Sequence, residues 1–385
     1  MKIEVKASTK PGYVMPKEEA ILFSGRAAGI CYMRADYDTL CEEDPQVTFD
    51  RAEGNLESGH HSVYGHPKYT LVLENIPKIL AMILNNEKVY DTSEKSARYT
   101  KMTPSPDEKV LYEKWIGIFE KEIKHCYPKF DDKNAHKLAM ENARYLISVF
   151  TPATTMEYTV GIQQWSYIID FAEKYIKTAG EDPFSRKVKE VLREFLACKP
   201  DIDIEGLDSG MKNREFSLFA KRHERQEEWG ENYCTTYLGS FAQLAQAQRH
   251  RTLSYEMVVP LEKQFFVPPI IEYTPYEDEW KKDIESLKDN YPQGMLVQIN
   301  ERGTCENFVL KCTERLCGFP QYEIMMRTNK TMHKYVKAVE NTNPDVYDYL
   351  EPYSHGPRCT FPGWTCPSPK KPCIFGPSKA LDRCV

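Results

Sequence analysis

The sequence predicts an α+β fold, with helices much longer than its strands, in two stretches joined by a turn-rich linker and closed by a cysteine-rich tail. Three observations carry this. Apolar residues recur at helical spacing through most of the chain, and alternate at strand spacing in only a few short runs. The composition shifts at Lys199–Gly210 and again from Glu351. At 385 residues the chain is long enough for two or three substantial cores.

Helical periodicity runs over 17–31, 77–88, 108–127, 134–149, 155–178 and 184–197, and returns at 236–251, 279–290, 296–316 and 322–340. The run from Tyr69 to Glu74 alternates as a strand does, and 213–220 and 234–238 read as further short strands. Lys199–Gly210 is acidic and rich in turn formers, which suits a linker. The expected divisions are therefore 1–200, 201–350 and 351–385.

A net charge of −6 gives no support to a general nucleic-acid surface, so an anionic ligand has to be held by local arginines. No run approaches the ~18 apolar residues of a membrane span. Met1–Lys10 lacks the apolar core of a signal peptide, and a cytoplasmic protein is expected.

Arg249-His250-Arg251 closes a helical run of small residues, Gly239–Gln248, and Thr252-Leu253-Ser254 follows. Two planar guanidinium groups beside an imidazole can hold two phosphates, or a phosphate and a flavin ring. The plainer alternative is a basic helix end that complements the helix dipole. Gln246, three residues before Arg249, projects from the same helical face, and Ser254 lies three residues after Arg251.

Gln-x-x-Arg-His-Arg-x-x-Ser resembles the core motif of the flavin-dependent thymidylate synthases. In that family a Ser-x-Arg follows, but Val259-Pro260-Leu261 stands in its place here. The missing part is found upstream. Gly59, His60, Ser62, His66, Tyr69, Glu94, Ser96, Arg98 and Tyr99 fall in register with the same family. In that stretch Asn86-Glu87-Lys88 replaces Arg-His-Arg, and Ile83 replaces the glutamine. Thr154–Val160 resembles the family segment that leads into a helix, although Gly161-Ile162-Gln163 departs from its Asn-Ala-Arg. Ile299-Asn300-Glu301-Arg302 fits that pattern better, and Arg315 with Pro320–Ile324 continues it. The two stretches have degenerated in complementary ways. The resemblance therefore implies a divergent, tandem-duplicated member: two pseudo-symmetric copies, each a small mixed sheet packed by long helices, sharing one composite site.

That resemblance implies reductive methylation of dUMP to dTMP, with methylene-tetrahydrofolate as carbon donor, reduced nicotinamide (NADPH) as reductant and FAD as hydride carrier. It assigns Arg249, His250, Arg251, Ser62 and Arg302 to FAD. Gln246, Ser96, Arg98 and Glu94 fall to the nucleotide, and Arg315 to polarising the uracil edge as the catalytic residue. It also implies a homo-oligomer, a dimer of pseudo-dimers. Two other functions stay open: a flavoprotein of the same fold acting on another pyrimidine nucleotide, and a non-catalytic nucleotide-binding or interaction protein.

The tail places Cys359, Cys366, Cys373 and Cys384 in a C-x6-C-x6-C-x10-C pattern within a Pro/Gly-rich segment. Such a segment builds little apolar core, and four thiolates around zinc or an iron–sulfur cluster would staple it. Free thiols and disulfides are the alternatives, disulfides being disfavoured without a secretion signal. Cys305 and Cys312 share a helix face and read as buried structural residues.

Overall fold

Pro77 and Ser240 each end a strand and start a helix, and around these two junctions the chain builds the same small motif twice. The computed structural model describes residues 12–96, 100, 102–207, 215–220, 227–249, 251–364, 366 and 373–385. Arg98, Tyr99 and His250 lie outside the described residues.

The first half opens with α1 (Lys17–Tyr32), α2 (Tyr37–Glu42) and α3 (Pro45–Glu57). Gly25 lets α1 lie against α3, since a Cβ there would fall 2.1 Å from the Thr48 carbonyl oxygen. β1 (Lys68–Pro77) runs into α4 (Lys78–Asn86), and β2 (Tyr90–Glu94) follows. Then come α5 (Pro106–Cys126), whose first turn is closed by a Ser105–Glu108 capping box, and α6 (Asp132–Ala143). β3 (Pro152–Gly161), α7 (Ile162–Thr178) and α8 (Pro183–Cys198) complete this half. The second half comprises β4 (Asn232–Ser240), α9 (Phe241–Gln248), β5 (Ser254–Val258), α10 (Tyr276–Ser286), β6 (Leu296–Thr304), α11 (Cys305–Arg315), α12 (Tyr322–Val339) and α13 (Pro344–Leu350).

The strand orders are β1-β3-β2 and β4-β6-β5, so in both sheets the third strand of the half lies between the other two. Every pairing is antiparallel, which corrects the expected mixed sheets. The chain returns to each sheet by a long excursion, yet arrives in the opposite direction to both neighbours.

One apolar core spans the halves, joining Tyr158 and Trp165 of the first to Tyr233, Phe308 and Tyr335 of the second. A second core lies between α5, α6 and α10, where the Trp115 and Trp280 rings meet edge to face at 4.8 Å, and Val385 closes it. Helix α4 is buried from Ile79 to Asn86, all round, and bonds to α9 through Gln248 Nε2 and Asn86 Oδ1 at 2.8 Å.

Three expected helices begin too early. Residues 155–161, 236–240 and 296–304 are strand, and helix follows in each case. Each strand runs without a turn into its helix, and the signals that separate them are the N-cap residues Gly161, Ser240 and Thr304; the expected strand at 234–238 lies within β4. Of the expected strand at 213–220, residues 217–219 form one 3-10 turn, because Ser217 bonds Glu87 and Asn86 rather than a neighbouring strand. Among the described residues, no helix is long and apolar enough to cross a membrane.

Candidate nucleotide cleft

α9 turns Ala242, Ala245, Gln246 and Arg249 to one side, the i, i+3, i+4, i+7 face of a helix, and that face forms one wall of a cleft. The two alanines keep the wall thin. Lys78, Glu94, Lys95, Ser96, Arg144 and Thr154 of the first half form the opposite wall, and Gln293 contributes from the second. The cavity measures about 60 Å³, room for a phosphate-sized group.

Each wall residue is held by a definite local cause. Lys78 is the first residue of α4, directly after Pro77, and its ammonium lies 2.5 Å from Glu94 Oε1. A cation at a helix N-terminus opposes the dipole, so its position there relies on Glu94. Glu94 also accepts from Thr154 Oγ1 at 3.2 Å and Asn85 Nδ2 at 3.3 Å. Burial pushes the Glu94 carboxyl up, but the Lys78 ammonium, its hydrogen bond and the Arg249 charge outweigh burial and hold it below the ordinary carboxylate value.

Gln246 is clamped twice. Its backbone carbonyl accepts from Arg315 Nη2 at 2.5 Å, and its Oε1 accepts from the Gln321 N–H at 3.2 Å. The donors of Nε2 remain for the cleft. Arg144, at the C-terminal cap of α6, donates to Gln321 Oε1. Gln321 thus bonds cleft residues from both halves. Gln293, 1% exposed, keeps an Nε2 donor with no hydrogen-bond partner among the described residues. Among those residues Arg249 makes no hydrogen bond or ion pair either. Four cations (Lys78, Lys95, Arg144 and Arg249) face one carboxylate, so the cleft suits an anion richer in acceptors than in donors.

Of the expected nucleotide residues, Gln246, Ser96 and Glu94 meet in this cleft, while Arg98 lies outside the described residues. The expected FAD residues do not all line this cleft, although Arg249 and Arg251 both act on Tyr90, and Arg251 and Arg302 both on Lys88. Arg249 lines the cleft, but Arg251, at φ 53°, turns away to lie 5.1 Å over the Tyr90 ring and 3.3 Å from Asp91. Arg302 sits on β6, 3.1 Å from the buried Glu256. Ser62 is exposed and outside the cleft, and His250 lies outside the described residues. Arg315, expected at the uracil edge, stands behind α9 as a support of Gln246. His60 bonds Tyr32 and Asn55, and His61 bonds Tyr167, so both serve the packing of the first half. Lys78, Arg144 and Gln293 were not singled out in the sequence. None belongs to a motif, though a lysine following a proline at a helix start was a visible oddity.

Among the described residues, no three His, Cys, Asp or Glu side chains gather to hold an ion. Cys384 Sγ lies 3.3 Å from the Tyr127 hydroxyl, whereas Cys373 lies beside Gly318. Burial pushes the Cys373 thiol up, and the nearby Cys317 and Cys359 add to this, so three cysteines share that end of the tail. Cys305 and Cys312 are buried on α11, and burial pushes the Cys305 thiol up to about 11.

Residues 15–172 match the family described as thymidylate synthase complementing protein. The match runs from just before α1 into α7 and includes Lys78, Glu94, Ser96, Arg144 and Thr154. No curated protein matches the chain.

Proposed function

We propose that the cleft binds dUMP or a related pyrimidine monophosphate for a thymidylate synthase-type reaction, a reading supported by the match of residues 15–172 to the thymidylate synthase complementing protein family. The observation that carries this reading is the meeting of Ser96 and Arg144 with Gln246 and Arg249 around one donor-rich cavity. Arg249 and Arg144 supply charge-assisted donors to the phosphate, and Ser96 adds a hydroxyl. Gln246, fixed by Arg315 and Gln321, offers its amide N–H groups to a pyrimidine carbonyl. Arg98, between two cleft-lining stretches in sequence, is assigned to the same phosphate on the resemblance.

We infer that the two halves arose by tandem duplication, a reading supported by their identical strand order and by helices that start at the same point of each motif. The division into 1–200, 201–350 and a tail from 351 follows that origin. The finer reaction is carried by the resemblance: methyl transfer to C5 of dUMP from methylene-tetrahydrofolate, with NADPH and FAD. FAD, when bound, supplies hydride transfer. Arg249 and Arg251 both act on Tyr90, and Arg251 and Arg302 both act on Lys88, so these cations would supply its donors, whereas Ser62 is exposed and outside the cleft. A second reading, in which the cleft binds a pyrimidine nucleotide without flavin chemistry, rests on the cleft itself, whose described lining includes Arg249 but none of the other residues expected at FAD.

Absorption spectra of anaerobically purified protein, together with dUMP titration calorimetry, separate the two. Flavin bands that shift on adding dUMP support the synthase reading. Binding of dUMP by a colourless protein that takes up no FAD supports the second. No binding of dUMP in either state removes both.

A further inference from the structure

The final residues of the tail are among its most deeply buried, and none of them has a part in the cleft described above. Arg383 is 4% exposed and Val385 2%. Arg383 donates Nη1 to the Gly318 carbonyl at 3.0 Å and Nη2 to the Pro320 carbonyl at 2.6 Å. Its guanidinium lies 5.0 Å over the Phe375 ring, while the Cys384 N–H donates to the Tyr127 hydroxyl at 3.0 Å. Cys373 packs on the same turn from its other end, so closely that a Cβ on Gly318 would lie 2.6 Å from its Sγ.

The turn held in this way leads directly into Gln321. Gln321 bonds Gln246 of the second half and Arg144 of the first. A short segment of irregular backbone, including a glycine, would otherwise leave Gln321 with freedom to shift. A planar guanidinium forked onto two carbonyls removes that freedom, because both donors point in fixed directions.

We propose that residues 373–385 are a strap that positions the cleft, with Arg383 a positioning residue that acts through Gln321 on Gln246 and Arg144. The proposal rests on the nucleotide reading for its effect on binding, but not for its effect on the turn.

The test uses the full chain carrying Arg383→Ala, Arg383→Lys, Arg144→Ala, and Arg383→Ala with Arg144→Ala. Two quantities are read: dUMP affinity by calorimetry, and hydrogen exchange of the Gln321 amide. Arg383→Ala should weaken dUMP about tenfold, the effect of one lost hydrogen bond to a charged group. Arg383→Lys should recover part of this. In the Arg144→Ala background, Arg383→Ala should add little, because the two share one chain of contacts. Exchange at Gln321 should quicken. Additive losses, or unchanged exchange, overturn the strap. If the wild type fails to bind dUMP, the nucleotide reading falls by itself and exchange alone decides the strap. If Arg383→Ala does not fold, Gly318→Ala, which pushes Cys373 off the turn, decides by the same two readouts.

Discussion

Gln248 donates its side-chain amide to Asn86 at 2.8 Å, and this bond occupies the position of α4 that corresponds to Arg249 after α9. Counted from the first residue of each helix, Asn86 in α4 and Arg249 after α9 are both ninth. Arg249 faces the cleft, whereas Asn86 also donates to Ser217 Oγ at 2.7 Å and the Tyr255 carbonyl at 2.9 Å. At the helix starts the contrast repeats, with Lys78 on one side and the fully buried Phe241 on the other.

One nucleotide per chain is therefore expected. Equilibrium dialysis with dUMP should saturate at one equivalent, and Asn86→Arg should create no second site while disturbing the joint. Two equivalents of equal affinity would contradict the occupied position.

Arg249→Ala and Arg144→Ala should each weaken dUMP by about 10- to 150-fold, the range for a lost charge-assisted hydrogen bond. Arg249 has no hydrogen bond or ion pair among the described residues. Its removal should leave stability within about 0.5 kcal/mol of wild type. Calorimetry and urea unfolding on the same preparations separate the two effects.

Lys78→Met strands Glu94, whose side chain is 1% exposed, and should destabilise by about 3–5 kcal/mol. Adding Glu94→Gln should restore most of that. The Glu94 carboxyl is held below its ordinary value, so its contribution is present above the unfolded carboxylate value, about pH 4.3. It is lost as pH falls through the lower folded value. Urea midpoints of wild type and Glu94→Gln should converge in that acid range; a constant gap would argue against the pair.

Lys311 and Glu301 form a second pair at 2.5 Å, 2% and 0% exposed, and Glu301 also accepts from Tyr233 at 2.8 Å and Tyr237 at 2.7 Å. Lys311→Met alone should destabilise by about 3–5 kcal/mol, and Lys311→Met with Glu301→Gln by less. Thermal unfolding of both variants gives the order, which is reversed if the pair contributes independently of its partner.

The half-motifs around Arg249 and Ser96 could be read from sequence because each keeps its chemistry in a short run. Their meeting could not, since nothing in either run states which helix faces which. The long isolated helices were readable from periodicity, and so was 234–238 within the strand before α9; the strands before α7 and α11 were missed, because each runs without a turn into a helix and its apolar residues merge with the helical repeat. Arg144 and Lys78 depend on distant partners, Gln321 and Glu94, and have no local signature. Cys384 meets Tyr127, while Cys373 stands near Cys359 and near Cys317, a neighbour outside the tail that spacing within the tail could not name.

A cleft built from both halves of one polypeptide also behaves differently in a mixture. Where identical subunits share a site across their interface, two chains defective in different residues can combine and regain some intact sites. Here Ser96, Arg144, Gln246 and Arg249 travel together in each chain. Mixing an Arg144-defective chain with an Arg249-defective one leaves every cleft broken, so allelic defects at this site do not rescue one another.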